Sequence, residues 1–179
     1  MPVRRLNHAV LFVADVARSV AFYVDVLGFV DIGVDFPGGA FLRAADSAND
    51  HDLGLFRATG PRPPDGSVGL YHLAWEVATL RELAALRERL VESGALTGAA
   101  DHAATKALYA RDPDGIEFEV TWLVPDHLVE DEIVPDLNPT RPLDLDAEIA
   151  RYGADTPGGP RTDRGLYARI AARLAAARG

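Results

Sequence analysis

Three side chains in this sequence have the types and placement to hold a metal ion. His8 stands in Leu6-Asn7-His8-Ala9-Val10-Leu11-Phe12-Val13, His72 in Leu70-Tyr71-His72-Leu73-Ala74-Trp75-Glu76-Val77, and Glu119 in Ile116-Glu117-Phe118-Glu119-Val120-Thr121-Trp122. Each segment reads as a short β-strand. Two imidazoles and one carboxylate form a facial ligand set that leaves positions open for other molecules. Alternation along the last segment puts Ile116, Phe118, Val120 and Trp122 on one face and Glu117, Glu119 and Thr121 on the other. A carboxylate among apolar neighbours on a central strand is costly to bury unless it is paired or metal-bound. Taken singly, Glu119 reads equally as a strand-end carboxylate, and His8 or His72 as a hydrogen-bonded core histidine. Their matching placement in two similar stretches favours the metal. Glu117 reads as a rim residue.

The elements that must position these groups come in a repeating order. The first strand spans about 5–13 and is apolar on both faces, as a strand covered on each side would be. Asp15 is an N-cap for a helix through Leu27, with Gly28 as its left-handed stop and Val16, Val20, Tyr23 and Leu27 on one face. Short strands are expected over about 29–34, 40–43 and 51–57, and the Pro/Gly-rich stretch 59–67 reads as a linker. The strand with His72 follows. Thr79-Leu80-Arg81-Glu82 is a capping box opening a helix with Leu83, Leu86 and Leu90 inward and Gly94 past its end. Strands are expected over about 104–109 and 116–123, joined by the turn Asp112-Pro113-Asp114-Gly115. The expected class is α+β, with two tandem βαβββ units (about 5–58 and 69–123) in a domain spanning 1–124. Residues 125–142 are acidic and proline-punctuated, without a periodic pattern. A short helix is expected over 145–152 and another over 163–178, with Leu166, Ile170 and Leu174 on one face. This extension, 125–179, is expected to pack on the body or on a second subunit, and His127 within it has no assigned role.

Composition narrows the chemistry. The 179 residues include no cysteine, so disulfides and thiolate chemistry are excluded. With 18 Lys and Arg against 27 Asp and Glu, the formal charge of −9 argues against nucleic acid, whose phosphates need clustered cations. No apolar run approaches the roughly 20 residues that span a bilayer, and no signal peptide is recognisable. A cytoplasmic protein acting on small molecules is the expectation.

The tandem βαβββ order, a histidine early in each unit, and Asp-Pro-Asp-Gly-x-x-x-Glu at the end together resemble the vicinal oxygen chelate superfamily over about residues 6–123. That group includes glyoxalase I, extradiol ring-cleaving dioxygenases, fosfomycin-modifying enzymes and metal-free antibiotic-binding proteins. The resemblance implies strands curled into half-barrels around a metal held by His8, His72 and Glu119. Glyoxalase I and several isomerases take a fourth ligand from the last strand of the first unit, where Gly54 stands here. Asp50-His51-Asp52-Leu53-Gly54-Leu55-Phe56 instead looks like the corresponding strand of extradiol dioxygenases, in which a histidine at the place of His51 acts as acid and base. Read alone, His51 is a surface histidine in an Asp-rich turn. Tyr109, ten residues before Glu119, falls on the place of an active-site tyrosine, and His102 on that of a pocket histidine. By themselves these two would be a cross-strand packing aromatic and a loop residue.

The resemblance thus implies an Fe(II)-dependent extradiol dioxygenase, with Mn(II) as a possible substitute, taking a catechol-type aromatic and dioxygen as a homodimer. Two other readings remain: a related metal-dependent lyase, isomerase or thiol transferase, and a non-catalytic small-molecule-binding protein of the antibiotic-resistance type.

Overall fold

The structure, a computed structural model, describes the chain apart from residues 1, 4, 35, 134–139, 160, 178 and 179 and the side chains of 130–133, 174 and 177. The expected inward Leu174 and the end of the last helix at Arg178 therefore lie outside the described residues. Two units are distinguished: residues 1–71 with 111–116, and residues 72–110 with 117–179.

In unit 1, β1 (Ala9–Val13) leads into α1 (Val16–Asp25), then β2 (Val30–Asp31), β3 (Gly39–Arg43) and β4 (Leu53–Arg57). Asp15 caps α1 by accepting the Arg18 N–H, and Gly28 turns the chain at φ 81°. The sheet order is β1-β4-β3-β2, with β1 parallel to β4 (Ala9 opposite Leu53) and the other pairs antiparallel. Leu11, Val13, Leu42, Leu53 and Leu55 make the core. The Asp-Pro-Asp-Gly turn, residues 112–115, also belongs here. The Tyr23 hydroxyl donates to Asp112 at 3.2 Å, and Arg18 pairs with Asp114 at 2.5 Å. Burial, and then the facing Asp112, push the Tyr23 phenol well above its ordinary range.

Unit 2 holds β5 (Leu73–Glu76), α2 (Leu80–Glu92), β6 (Leu96–Asp101), β7 (Thr105–Arg111), β8 (Glu117–Leu123), α3 (Asp126–Ile133), β9 (Arg141–Pro142), α4 (Leu145–Tyr152) and α5 (Leu166–Ala177). The expected capping box forms: Thr79 accepts the Glu82 N–H while the Glu82 carboxylate accepts the Thr79 N–H. The order is β5-β8-β7-β6-β9, with β5 parallel to β8. Leu80, Leu83, Leu86 and Leu90 of α2 are buried, as are Phe118, Val120 and Trp122 of β8. The protein is thus α+β with two mixed sheets, neither closed on itself.

The structure adds three elements to the sequence reading, one of them the two-residue β9 at the end of the acidic stretch. β6 arises from a run of small residues, Thr97-Gly98-Ala99-Ala100, and α3 follows Pro125 inside the acidic stretch expected to be irregular. Among the described residues no helix is long and apolar enough to cross a membrane.

The residues after β8 close on unit 2 through a buried ionic cluster. Lys106, fully buried, pairs with Asp101 at 2.6 Å and with Glu148 of α4 at 3.1 Å, and Tyr152 lies 5.8 Å from its ammonium. Gly158 passes so close to Trp122 that a Cβ there would sit 2.6 Å from the indole nitrogen, and this position needs glycine. Burial works to raise the Asp101 carboxyl, but the Lys106 ammonium, the Ala103 N–H and Arg141 outweigh it and hold the carboxyl below its ordinary range.

Lys106→Met leaves two acids at this cluster without their buried cation and is expected to lose about 3 kcal/mol, read as a lower urea midpoint. Because Asp101 titrates lower when folded than when unfolded, its contribution is present above about pH 4 and lost as pH falls through the folded value. Melting curves should show the deficit of Asp101→Asn narrowing as pH drops from 6 toward 2.

Candidate metal centre

In unit 1 the parallel pairing of β1 and β4 decides which residues meet. Two neighbouring parallel strands start at the same edge, so the residues leading into them emerge side by side. His8 and His51 do so, with ring centroids 4.5 Å apart. Neither lies on a strand: β1 starts at Ala9 and β4 at Leu53, where strands from about 5 and 51 were expected. The bend before β4 is built by Asp52, whose carboxylate accepts from the Ala44 N–H, the Ser47 hydroxyl and the Asn49 amide. Burial pushes the Asp52 carboxyl up, but these hydrogen bonds outweigh it and the net displacement is downward. Asn49 also donates to the Asn7 carbonyl at 2.9 Å, tying the approach to His8 to the approach to His51. The Asn7 amide oxygen can only accept, so the 2.8 Å contact to His8 Nδ1 places the proton there. The His8 Nε2 lone pair is then available to a cation.

Around His51 the wall is aromatic. Its ring packs on Phe41 at 4.9 Å, and Phe41 meets Phe36 and Phe56 edge-on. Gly54 sits beside them on β4. A Cβ there would lie 3.3 Å from both Phe56 and Val10, so the aromatic wall occupies the space a ligating side chain would need.

In unit 2 the same parallel geometry recurs. With Leu73 opposite Phe118 and Ala74 opposite Glu119, His72 enters β5 beside the acidic start of β8. Like His8, it precedes its strand. His72 Nε2 lies 3.3 Å from Glu119 Oε2, and Nδ1 lies 3.9 Å from Glu117 Oε1. Glu117, read from sequence as a rim residue, thus stands behind the imidazole; its signal was there in the alternation that puts both glutamates on one face. Tyr109 on β7 packs edge-on against His72 at 6.0 Å between rings, and its hydroxyl is 2.8 Å from His102 Nε2. His127 is exposed on α3.

The donor chemistry fits a divalent cation. Two ligands bound at about 2.1 Å and at right angles stand about 3.0 Å apart, close to the separation of His72 Nε2 and Glu119 Oε2. Glu119 is only 9% exposed, and among the described residues its carboxylate has no Lys or Arg partner. Among the described residues no three His, Asp or Glu side chains are grouped to hold an ion. Unit 2 brings together His72, Glu119, Tyr109 and His102, and unit 1 brings together His8 and His51.

The model of the Glyoxalase/Bleomycin resistance protein/Dioxygenase superfamily matches residues 5–120. The chain is 32% identical to a catechol-2,3-dioxygenase of Bacillus subtilis over 124 residues, which are 64% of this chain and 40% of that enzyme. It is 32% identical to biphenyl-2,3-diol 1,2-dioxygenase 3 of Rhodococcus globerulus over 118 residues, 62% of this chain and 59% of that one. The match thus spans less than two thirds of either dioxygenase. A Salmonella typhimurium virulence protein is 29% identical over 69% of this chain and 88% of its own. Among solved structures, a glyoxylase/bleomycin resistance protein/dioxygenase domain from Frankia superposes with a TM-score of 0.57 at 23% identity, covering 69% of this chain and all of that one.

Glu117→Gln removes the negative charge behind His72 and is expected to weaken Mn(II) or Fe(II) binding about tenfold. Competition titration with a metallochromic chelator measures this, with Glu119→Gln expected to lose considerably more.

Proposed function

The chain belongs to the Glyoxalase/Bleomycin resistance protein/Dioxygenase superfamily, and we propose that within it the protein is an Fe(II)-dependent extradiol dioxygenase that opens a catechol-type ring with dioxygen. One observation carries this reading: a buried Glu119 carboxylate with no Lys or Arg partner among the described residues, held 3.3 Å from a histidine nitrogen. Such a carboxylate is poorly accommodated without a cation. His72 and Glu119 supply two ligands, and the sequence resemblance assigns His8 as the third. Fe(II) bound there would supply the electron transfer between a chelated diol and dioxygen, which Mn(II) can sometimes replace and d¹⁰ Zn(II) cannot.

The remaining roles fall to the chain's own groups. His51 takes a proton from a catechol hydroxyl and later returns it. The Phe36, Phe41 and Phe56 wall beside it suits an aromatic ring and keeps water from the reacting face. The Tyr109 hydroxyl bonds a substrate oxygen, and His102 orients that hydroxyl. The product is a ring-opened hydroxymuconic semialdehyde or acid carrying both atoms of dioxygen. The reading takes the enzyme to act in the cytoplasm as a homodimer. A four-ligand lyase or isomerase site loses support at Gly54, where the aromatic wall crowds any longer side chain.

Anaerobic loading with Fe(II), followed by catechol or 2,3-dihydroxybiphenyl and air, should give a yellow product with one dioxygen consumed per ring. Full iron occupancy without oxygen uptake across a panel of catechols would sink the dioxygenase reading. His51→Ala should keep its iron and lose turnover by about 10²–10⁴-fold.

A further inference from the structure

The residues after position 120 lie beyond the region that the family model matches, yet they hold the turn that carries His102. β9 pairs with the end of β6, setting Arg141 opposite Asp101 and Pro142 opposite Ala100. Arg141 reaches the Asp101 carboxylate at 3.3 Å. From the other side, Arg161 donates to the Ala104 carbonyl at 2.7 Å. Between these two grips stands Ala103, whose φ of 61° is a left-handed conformation unusual for a residue with a side chain. Its N–H is held by Asp101 Oδ1 at 2.8 Å. Strained turns of this kind persist where surrounding contacts over-determine them, and they cluster at working sites.

The last residue before β9 is Thr140, and its hydroxyl lies 3.3 Å from His102 Nδ1. The opposite nitrogen, Nε2, lies 2.8 Å from the Tyr109 hydroxyl. We propose that Thr140 is a positioning residue, whose hydroxyl fixes the orientation of the His102 imidazole and thereby the direction of the Tyr109 hydroxyl. This rests on the reading of Tyr109 as a group that binds substrate. An imidazole anchored at one nitrogen can turn over about its Cβ–Cγ bond, exchanging nitrogen for carbon at each position. Hydroxyls at both nitrogens oppose that flip, because the turned ring would face both with C–H groups. A neutral imidazole also carries one N–H and one lone pair, so the two hydroxyls take opposite roles. When Nδ1 donates to Thr140, Nε2 accepts from Tyr109 and the phenol oxygen offers lone pairs to its next partner. In the other tautomer the phenol keeps its own proton to donate. The C-terminal extension therefore supplies a second determinant of what Tyr109 presents.

Thr140→Val keeps the shape and removes the hydroxyl, and Thr140→Ser restores the hydroxyl without the methyl. Two readouts are taken on the full chain: nitrogen-15 shifts of the His102 ring in the metal-free protein, and kcat with KM for catechol in the iron-loaded protein. The Val variant is expected to shift the His102 ring nitrogens toward a tautomer mixture and to lower kcat about fivefold, with metal affinity unchanged. The Ser variant is expected to return both to wild type. Wild-type ring shifts in Thr140→Val would overturn the proposal, as would equal losses in the Val and Ser variants. If no catechol is turned over by any form, the ring shifts still decide the positioning role, while the dioxygenase reading falls alone.

Discussion

The parallel pairing of the first and last strands of each βαβββ unit is the constraint on which the candidate site depends. In a βα crossover the chain returns to its starting edge before the neighbouring parallel strand begins. Residues that lead into two such strands are therefore neighbours in space although far apart in sequence. β1 beside β4 brings His8 to His51, and β5 beside β8 brings His72 to Glu117 and Glu119. Antiparallel pairing of either couple would separate these groups to opposite ends of a strand. The chemistry is thus a product of topology first and of side-chain choice second.

Side-chain choice then sets what each cluster can do. Unit 1 sets two imidazoles side by side, packs His51 on Phe41 and anchors the bend before β4 through Asp52. Unit 2 sets a buried carboxylate beside one imidazole and links a phenol to a second. The helical side of the unit 2 sheet is different in kind. There Lys106 is neutralised by Asp101 and Glu148, so the charge is structural.

Legibility in the sequence followed the strength of local signals. Asp15, the Thr79–Glu82 box, and glycines 28 and 94 mark helix ends by hydrogen-bonding groups and backbone freedom that act over a few residues; both helices start where those marks put them and α2 ends there too, while α1 stops at Asp25, two residues short of the expected Leu27. The short helix expected over 145–152 also stands at Leu145–Tyr152. β6 was not, because Thr97-Gly98-Ala99-Ala100 lacks bulky alternation and its pairing with β7 is a tertiary decision. α3 was hidden by the prolines around it. The residues of the candidate site were visible as types and spacings. What lay outside local reach was the register that puts Glu117 behind His72, and the contact of Thr140 with a turn 38 residues away.

The strand that carries Arg141 and Pro142 also ends the sheet of unit 2. At Ala100 and Asp101, β6 would otherwise expose unpaired backbone groups, the kind of border on which foreign strands nucleate. A proline cannot donate to a further neighbour, and a two-residue strand offers little length to extend. The segment that steadies His102 thus also keeps that border from recruiting other chains, so shortening the protein at its C-terminal side would unmask a sticky margin as well as loosen a histidine.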